Sequence, residues 1–325
     1  MKEKILKCLR EAEDYVSGQE LCQMFEVSRT AIWKVMNQLK EEGYVIDAVK
    51  NKGYRLVQTP DLVTAEEVES LLETSWAARP VVYEEEQAST NQTAKMLAEQ
   101  GASHGTLVVA ERQVSGRGRR GRPWHSPKGS GIWMSILLRP QIHPMSASML
   151  TLVAAMAVYD AISSRVEGCA IKWPNDIVID GRKVCGILTE MSSELDNIHY
   201  VVIGIGINVN TDDFPVDIAS VAASMHVITG AYYKRAEIIA DTWKEFEKYY
   251  DLFVQTENLA LMVDAYNQRL VNMDRRVMIE ERGHRYEGTA RGIDAEGALL
   301  VERDDGTTTS VISGEVSVRG VLGYV

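Results

Sequence analysis

The segment from Gly116 to Trp124 combines four arginines with three glycines. Guanidinium groups bind phosphates and carboxylates through paired hydrogen bonds, and glycines let a loop adopt varied backbone geometry. No Asp or Glu occurs from Arg112 to Tyr159, a stretch that contains seven Lys and Arg residues. The segment therefore predicts a flexible loop that closes over a phosphorylated ligand and is ordered only when that ligand is bound. The alternative is a charge run that is simply solvated.

The same segment contains the spacing Gly-x-Gly-x-x-Gly, from Gly116 to Gly121, which is also a phosphate-binding fingerprint of dinucleotide folds. That fingerprint requires a helix to begin at the glycines. Here Pro123 and Pro127 follow, without helical periodicity, so a Rossmann fold is excluded. No Gly-x-x-x-x-Gly-Lys-Ser/Thr sequence occurs, which also excludes a P-loop.

A second group of chemically useful residues is the sequence Lys172-Trp173-Pro174-Asn175-Asp176. Proline favours an extended residue before it, so Asn175 and Asp176 should stand at the entrance of the apolar strand 177–179 and face a cleft. An Asp beside phosphates could help to hold Mg²⁺, which takes few carboxylates and keeps several waters. The alternative is an Asx-type turn that binds no ligand.

A third group lies in the sequence from Gly181 to Leu188, after a predicted hairpin turn at Asp180-Gly181. Lys183 begins an apolar strand, so its ammonium group should lie at the sheet end, beside Gly186, where a ligand can approach the backbone. Such a lysine could neutralise both a substrate carboxylate and an α-phosphate. Cys185 is interpreted as a packing residue rather than a nucleophile.

The first 60 residues predict a winged helix-turn-helix. An amphipathic helix at 2–12, a capping box from Ser17 to Glu20, a helix capped by Ser28 that ends at Gly43, and a hairpin with a basic tip follow one another. In this fold the third helix reads the major groove and the wing meets phosphates. The alternative is a small bundle for protein contacts. The predicted DNA-contacting residues are Ser28, Arg29, Thr30, Trp33, Lys34, Asn37, Lys50 and Lys52.

The rest of the chain predicts two further domains, which makes the fold class α+β. Residues 61–270 mix strand-like and helical segments, including an almost wholly apolar helix near 148–162, and should form a mixed α/β catalytic domain. Residues 271–325 contain five short alternating runs separated by Gly and Asp, which predict a small SH3-like β-barrel.

Composition and charge indicate which compartment and which partners to expect for this protein. The net charge is −11, but residues 1–58 are nearly balanced, so any nucleic-acid contact should be confined to that region. Four cysteines without metal-ligand or disulfide spacing fit a reducing compartment. The apolar runs are well short of the roughly 20 residues that span a bilayer. We therefore expect a cytoplasmic protein without a membrane partner.

Taken together and in this order, the three motifs resemble those of the biotin protein ligases. Gly116–Trp124 is similar to the family's arginine-glycine loop, Lys172–Asp176 to its Lys-Trp-Pro-Asn-Asp box, and Gly181–Leu188 to its Gly-x-Lys-x-x-Gly-Ile-Leu segment. The sequences at 89–92 and 204–208 also match. With its winged helix, the chain resembles the bifunctional subgroup, which joins biotin ligase and biotin operon repressor in one polypeptide.

The resemblance implies a two-step reaction. Biotin and MgATP give biotinyl-5′-adenylate and pyrophosphate, and the biotinyl group then passes to a lysine of the biotin carboxyl carrier domain of a carboxylase. No metal site formed by the protein itself is implied, because Mg²⁺ arrives mainly with ATP. Asp176 is the one residue near which the ion could lie. The adenylate is also the corepressor: it orders the arginine loop, promotes homodimerisation and so places two winged helices on operator DNA.

The resemblance also assigns roles by position. The implied catalytic residues are Lys183, Arg119 and Asp176. Those implied for biotin are Ser89, Thr90, Asn91, Gln113, Gly116, Arg117, Gly118, Arg119, Lys183 and Gly186. Those implied for ATP and the adenylate are Arg117, Arg119, Arg120, Arg122, Trp124, Lys172, Asn175, Asp176 and Asn208. Glu315 and Arg319 resemble positions that approach the active site, and for both a purely structural role is the alternative.

Three alternatives stay open at this point. The amino-terminal domain could bind protein rather than DNA. The chain could be a ligand-sensing repressor without transfer activity, although the presence of Lys183, Asp176 and Arg119 argues against that. It could attach lipoate, although lipoate ligases, which resemble the central domain, do not share this arginine loop.

Overall fold

The structure is a computed structural model, which describes residues 1–281, 284–312, 316–320 and 324–325. Glu315 lies outside the described residues. The chain forms an amino-terminal helical region with a hairpin, a central mixed sheet covered by helices, and a carboxy-terminal antiparallel sheet. The α+β fold class is confirmed.

The amino-terminal region is the predicted winged helix-turn-helix. The Ser17 side chain accepts a hydrogen bond from the Glu20 amide while the Glu20 carboxylate accepts one from the Ser17 amide, which fixes the start of the second helix. Ser28 caps the third helix in the same way. The elements are α1 (Lys2–Glu11), α2 (Gly18–Phe25), α3 (Arg29–Glu41), β1 (Val45–Val49) and β2 (Gly53–Gln58).

The central sheet has seven strands in the order β3-β4-β5-β9-β8-β7-β6. Only β3 and β4 are paired in parallel; the other neighbours are antiparallel. Its strands are β3 (Val81–Gln87), β4 (Leu107–Gln113), β5 (Gly131–Leu138), β6 (Cys169–Lys172), β7 (Asp176–Ile179), β8 (Arg182–Glu194) and β9 (Asn197–Asn208). The associated helices are α4 (Ala65–Leu71), α5 (Thr90–Glu99), α6 (Leu150–Ser163), α7 (Met225–Thr229), α8 (Arg235–Thr256) and α9 (Val263–Arg269).

Helices cover both faces of this sheet. Strand residues alternate between faces, so Val108 and Leu137 pack against α5 while Leu107 and Ile136 join the main core with α6 and α8. The segment Pro144–Ser163 is long and apolar enough to cross a membrane, but most of its apolar stretch is buried inside the protein. That burial is typical of a core helix.

The carboxy-terminal region contains the five predicted strands. They form an antiparallel sheet in the order β13-β12-β11-β10-β14. Trp173 donates its indole N–H to the Gly297 carbonyl oxygen at 3.1 Å, so this sheet packs directly behind the Lys172–Asp176 segment. The strands are β10 (Arg276–Glu281), β11 (His284–Ile293), β12 (Leu299–Glu302), β13 (Thr308–Val311) and β14 (Val316–Gly320).

Ionic contacts join the amino-terminal region and the connecting segment to the central domain. Glu67 of α4 is buried and accepts hydrogen bonds from Arg10 of α1 and the Tyr44 hydroxyl, both at 2.5 Å. Asp61, in the connecting segment, pairs with Arg235 at the start of α8. The position of the amino-terminal region is therefore set by specific side chains.

Candidate active site

A single cleft collects nearly all the residues predicted for the two substrates. It lies between the arginine loop, the ends of β7, β8 and β9, and residues that follow β14, and it encloses about 1540 Å³ including its open mouth. The predicted residues that line it are Ser89, Thr90, Asn91, Gln113, Arg117, Gly118, Arg119, Arg120, Arg122, Trp124, Lys172, Asn175, Asp176, Lys183, Gly186 and Asn208.

Gly116 does not line the cleft, so its predicted contact with biotin is not supported by its position. A Cβ added there would lie 2.9 Å from Ser126 Oγ and 3.0 Å from Gln113 Nε2. The residue is buried behind these side chains, where only a glycine fits. Its carbonyl accepts a hydrogen bond from the Trp124 amide at 2.9 Å, which closes the base of the loop.

The arginine loop is folded back on itself as a narrow ribbon. The Gly118 amide donates to the Arg122 carbonyl at 2.8 Å, and a short 3₁₀ turn at Arg119–Gly121 forms the tip. Arg120 and Gly121 have φ of +58° and +69°, a conformation that glycine adopts without strain and arginine does not. The predicted absence of an α-helix after the glycines is confirmed. The dependence of this fold on a bound ligand stays a prediction.

Trp124 lies flat on the sheet at the floor of the cleft. A Cβ at Gly186, in β8, would come within 2.8 Å of the Trp124 ring, and one at Gly206, its partner in β9, within 2.4 Å of the indole nitrogen. Two facing glycines therefore create the flat surface that this indole occupies. The Lys183 ammonium nitrogen lies 5.2 Å from the ring centre, within the range of a cation–π contact.

Asp176 is the centre of the charged part of the cleft. Its Oδ1 lies 2.5 Å from Lys183 Nζ, and its Oδ2 accepts a hydrogen bond from the Tyr324 hydroxyl. The antiparallel pairing of β7 with β8 sets Asp176 opposite Gly186, which brings Lys183 alongside. Lys172 ends the neighbouring strand and pairs with Asp176 across the β6–β7 turn.

Burial and neighbouring charges shift the pKa values of this cluster in opposite directions. Burial alone would raise the pKa of Asp176, but the ammonium groups of Lys183 and Lys172 lower it, so the carboxylate stays ionised. Burial lowers the pKa of Lys172 to about 8, with Asp176 opposing the shift. Burial also lowers the pKa of Arg119. One carboxylate thus stands among several cations, an arrangement suited to an anionic ligand.

Arg119 reaches from the loop to the Lys-Trp-Pro-Asn-Asp segment. Its Nη1 donates to Asn175 Oδ1 at 2.9 Å, while Asn175 Nδ2 donates to the Ile187 carbonyl at 3.0 Å. Asn175 is therefore held by the strand and in turn holds the loop. This contact links the first two sequence motifs directly.

The opposite part of the cleft is lined by uncharged polar groups. Ser89 is the N-cap residue of α5, but its hydroxyl makes no capping hydrogen bond. The amide of Thr90 donates to Gln113 Oε1 at 2.9 Å, and Gln113 Nε2 donates to Ser126 Oγ at 3.0 Å. These bonds orient Thr90 and Gln113 beside Ser89.

Sequence reasoning missed the serine behind this group. Ser135 is fully buried in β5 and its hydroxyl lies 2.7 Å from Thr90 Oγ1 and 2.6 Å from Asn91 Oδ1. Asn91 Nδ2 also donates to Glu190 at 2.7 Å. The side chain of Asn91 is therefore hydrogen-bonded to Ser135 and Glu190 and helps to hold the neighbouring residues in place. A lone serine in the apolar run 131–138 was the signal that could have identified Ser135.

Asn208 and residues of the carboxy-terminal region also line the cleft. Asn208 is buried at the end of β9 and donates to the Ala223 carbonyl at 3.1 Å. Arg319 lines the cleft as the resemblance implies. Tyr324 also lines it, and no sequence pattern pointed to this residue.

The cleft does not resemble a site that holds a metal with protein ligands alone. Among the described residues, no group of three His, Cys, Asp or Glu side chains could bind a metal ion. Asp176 is the one carboxylate of the described lining, and both of its oxygens already have partners. Cys185 is buried, which raises the pKa of its thiol, and its packing role agrees with the sequence interpretation.

A second surface, on the amino-terminal region, presents the residues predicted to contact DNA. On α3 the polar face is open to solvent, and Trp33 is 57% exposed. The tip of the β1–β2 hairpin carries Lys50 and Lys52, both exposed. The other exposed candidates are Ser28, Arg29, Thr30 and Lys34, whereas Asn37 is half-buried. Seven of the eight side chains are therefore open to solvent, and their contact with DNA stays a prediction.

Comparison with known families assigns each region to a class. Residues 83–208 match the model of the biotin/lipoate A/B protein ligase family, residues 2–55 match an HTH domain, and residues 273–319 match the biotin protein ligase C-terminal domain. Fold and cleft together thus define a protein ligase that carries a DNA-binding domain.

Relatives that align with most of this chain show which kind of protein ligase it is. The chain is 42% identical to the bifunctional ligase/repressor BirA of Bacillus spizizenii, over 90% of this chain and 91% of that protein. It is 29% identical to the Escherichia coli protein of the same name, over 97% and 96% of the two chains. The biotin protein ligase of Aquifex aeolicus, solved with biotin and ATP, superposes with a TM-score of 0.65 at 29% identity, covering 74% of this chain and 98% of that one. The chain belongs to the family of bifunctional biotin ligase/repressors.

Proposed function

We propose that the cleft activates biotin with ATP and passes it to a carrier protein. That the chain is a biotin ligase and a repressor follows from its family and its three matched domains. The observation that supports the assignment of residues is the division of the cleft: an uncharged polar end at Ser89, Thr90 and Gln113, and a cationic end around Asp176. The first suits the ureido head of biotin and the second its carboxylate beside phosphates.

In the proposed first step, a carboxylate oxygen of biotin attacks the α-phosphorus of ATP and pyrophosphate leaves. Both reactants are anionic, so the enzyme must offset their repulsion and align them. Lys183 lies at the strand end with its ammonium held by Asp176, where it can contact both groups. Arg119 covers the product, and Trp124 offers its ring to the adenine.

In the second step, the lysine amine of a carboxylase carrier domain attacks the biotinyl carbonyl and AMP leaves. We propose that the loop keeps water out until the carrier arrives, because a mixed anhydride hydrolyses readily in water. Mg²⁺ would come with the ATP phosphates, since the described part of the cleft offers at most one carboxylate. Its charge would offset the developing charge on the leaving pyrophosphate.

For repression, we propose that residues 1–60 bind operator DNA, while 61–270 form the catalytic domain and 271–325 the carboxy-terminal domain. The adenylate would act as corepressor, promoting a homodimer whose two α3 helices reach two half-sites in the major groove. The reaction would take place in the cytoplasm, where carrier and DNA are both available.

The proposed enzyme activity is tested by incubation with biotin, MgATP and a biotin carboxyl carrier domain. We expect a mass gain of one biotinyl group on one lysine of the carrier, and lipoate in place of biotin should give none. A carrier that gains lipoate but no biotin would overturn the assignment.

The hydrogen bond between Arg119 of the arginine loop and Asn175 leads to a prediction about how long the adenylate is retained. Arg119→Gly removes the bond to Asn175 and one charge over the nucleotide. We expect adenylate dissociation to accelerate roughly tenfold to a hundredfold, as when a charge-assisted hydrogen bond is removed, with activated biotin escaping to nearby amines. Filter binding of labelled adenylate measures the rate. Arg165→Gly, at the end of α6, is the control, and equal rates for Arg119→Gly and the parent would contradict the prediction.

The wing predicts how DNA binding depends on salt. Lys50 and Lys52 are exposed at the hairpin tip, where they would meet phosphates. Replacing both by alanine should weaken binding to the DNA upstream of the protein's own biotin operon, measured with biotin and ATP present. The slope of log K against log salt should fall by about 0.9 for each phosphate that the variant no longer neutralises. Lys40→Ala, in the last turn of α3, serves as control, and an unchanged slope in the Lys50/Lys52 variant would place the wing away from DNA.

A further inference from the structure

Tyr324 reaches the cleft from the carboxy-terminal region, and the proposed reaction assigns it no task. Its hydroxyl donates to Asp176 Oδ2, on the side of the carboxylate that Lys183 does not occupy. Burial, and then the neighbouring Asp176 carboxylate, raises the pKa of Tyr324, so its hydroxyl stays protonated and acts as the donor. Two different groups therefore fix the two oxygens of one buried carboxylate.

The ring of Tyr324 makes a second contact with the same cluster. The Lys172 ammonium nitrogen lies 3.7 Å from the ring centre, well within the distance of a cation–π interaction. Lys172 is only 5% exposed, so this ring replaces water on one side of the ammonium group. A single side chain thus contacts an anion and a cation of the charged end.

The neighbouring residue holds Tyr324 in this place. The Val325 carbonyl packs on the backbone of Gly320, at the end of β14, so closely that a Cβ on Gly320 would overlap it. A Cβ at Gly181, in the β7–β8 turn, would lie 3.0 Å from Val325 Cγ2. Val325 is therefore wedged between the two sheets, one of which carries Lys183.

From these contacts we infer that Tyr324 is a positioning residue of the adenylation site. It holds the Asp176 carboxylate in the orientation that aims Lys183 at the substrates, and it keeps Lys172 beside the same phosphates. The carboxy-terminal region therefore contributes directly to the chemistry of the cleft. This inference rests on the proposed function of that cleft.

The contrary possibility is that Tyr324 blocks the nucleotide-binding part of the cleft. If Tyr324 merely occupied the place of the nucleotide, ATP would have to displace it, and its removal would lower the KM for ATP or raise the rate. If Tyr324 served stability alone, its removal would lower the melting temperature and leave kcat unchanged. The three roles therefore predict different changes in measurable quantities.

The test compares Tyr324→Phe and Tyr324→Leu in the full chain, by pyrophosphate release with biotin and MgATP. Tyr324→Phe keeps the ring but removes the hydroxyl, so kcat should fall roughly tenfold while the KM for ATP stays near that of the parent. Tyr324→Leu removes both the hydroxyl and the ring, so kcat should fall further and the KM for ATP should rise. The KM for biotin should change little in either. Tyr232→Phe, on the exposed surface, is the matched control.

A pH profile separates positioning from stability. Hydrogen bonding by Tyr324 is among the causes that hold the pKa of Asp176 down. Without the hydroxyl that pKa rises, so the acid limb of the kcat profile should move to higher pH in Tyr324→Phe. Gly320→Ala, which displaces Val325 without touching Tyr324, should reproduce the fall in kcat seen in Tyr324→Leu.

The outcomes are distinct. Parental kcat and an unmoved acid limb in Tyr324→Phe, or a faster reaction in Tyr324→Leu, would overturn the inference. No pyrophosphate release by the parent protein with biotin would instead overturn the proposed function.

Discussion

Lys183→Ala is expected to lose most of the adenylation activity while keeping the fold. Its ammonium group lies at the strand end and against Asp176, 2.5 Å from Oδ1. Because both substrates are anionic, their approach depends on this charge. Removal of a single group that stabilises transition-state charge commonly lowers kcat about 10²- to 10³-fold. We expect a decrease of that size in pyrophosphate release.

The control for this variant is Lys244→Ala. Lys244 is on α8, exposed, and pairs with Glu73 outside the cleft. It should retain parental activity, which would show that removing an ammonium group elsewhere has no effect. Circular dichroism should give the same spectrum for both variants. Parental pyrophosphate release by Lys183→Ala would remove Lys183 from the proposed mechanism.

Much of the fold could be predicted because its signals are local. The capping box at Ser17 and Glu20 and the turn at Asp180-Gly181 depend on a few adjacent residues, and the structure confirms both. Strand β3 has no local signal of this kind, because its sequence at 83–86 is Tyr-Glu-Glu-Glu, which has no apolar alternation. It lies at the edge of the sheet, where charged side chains can face water.

The residues of the site also fall into those with a local sequence signal and those without one. Motifs that keep their ligand-facing residues close in sequence, such as Lys172–Asp176, could be recognised directly. Tyr324 and Asp176 are 148 positions apart, and only the packing of β14 behind the cleft brings them together. Ser135 had a weaker local signal, a polar residue in an apolar strand. Long-range pairs of this kind have no signature in one sequence.

Arg235 is the clearest example of a residue whose environment the sequence did not reveal. It begins α8, yet its side chain is only 2% exposed. Nε bonds Asp61 Oδ2 at 2.9 Å, and the two terminal nitrogens bond both Glu111 oxygens at 2.8 and 3.2 Å. The carbonyls of Gly131 and Asp61 accept the two remaining bonds, each at 3.1 Å. All five donors are thus used, and two of them bond Asp61 in the segment that joins the amino-terminal region to the central domain.

Arg235→Met is therefore expected to be among the most destabilising single substitutions in this chain. It leaves the buried Glu111 carboxylate without its main partner, and breaking a buried ion pair on one side costs about 3–5 kcal/mol. Lys244→Met breaks an exposed pair and should cost no more than about 1 kcal/mol. Urea unfolding followed by circular dichroism measures both. Asp61 also loses its two bonds to the guanidinium, although it keeps those from the amide of residue 235 and from Asn210 Nδ2. Arg235→Met should therefore bind operator DNA more weakly than Lys244→Met at a temperature where both are folded. Equal stability of the two variants would show that Arg235 is not what holds the connecting segment.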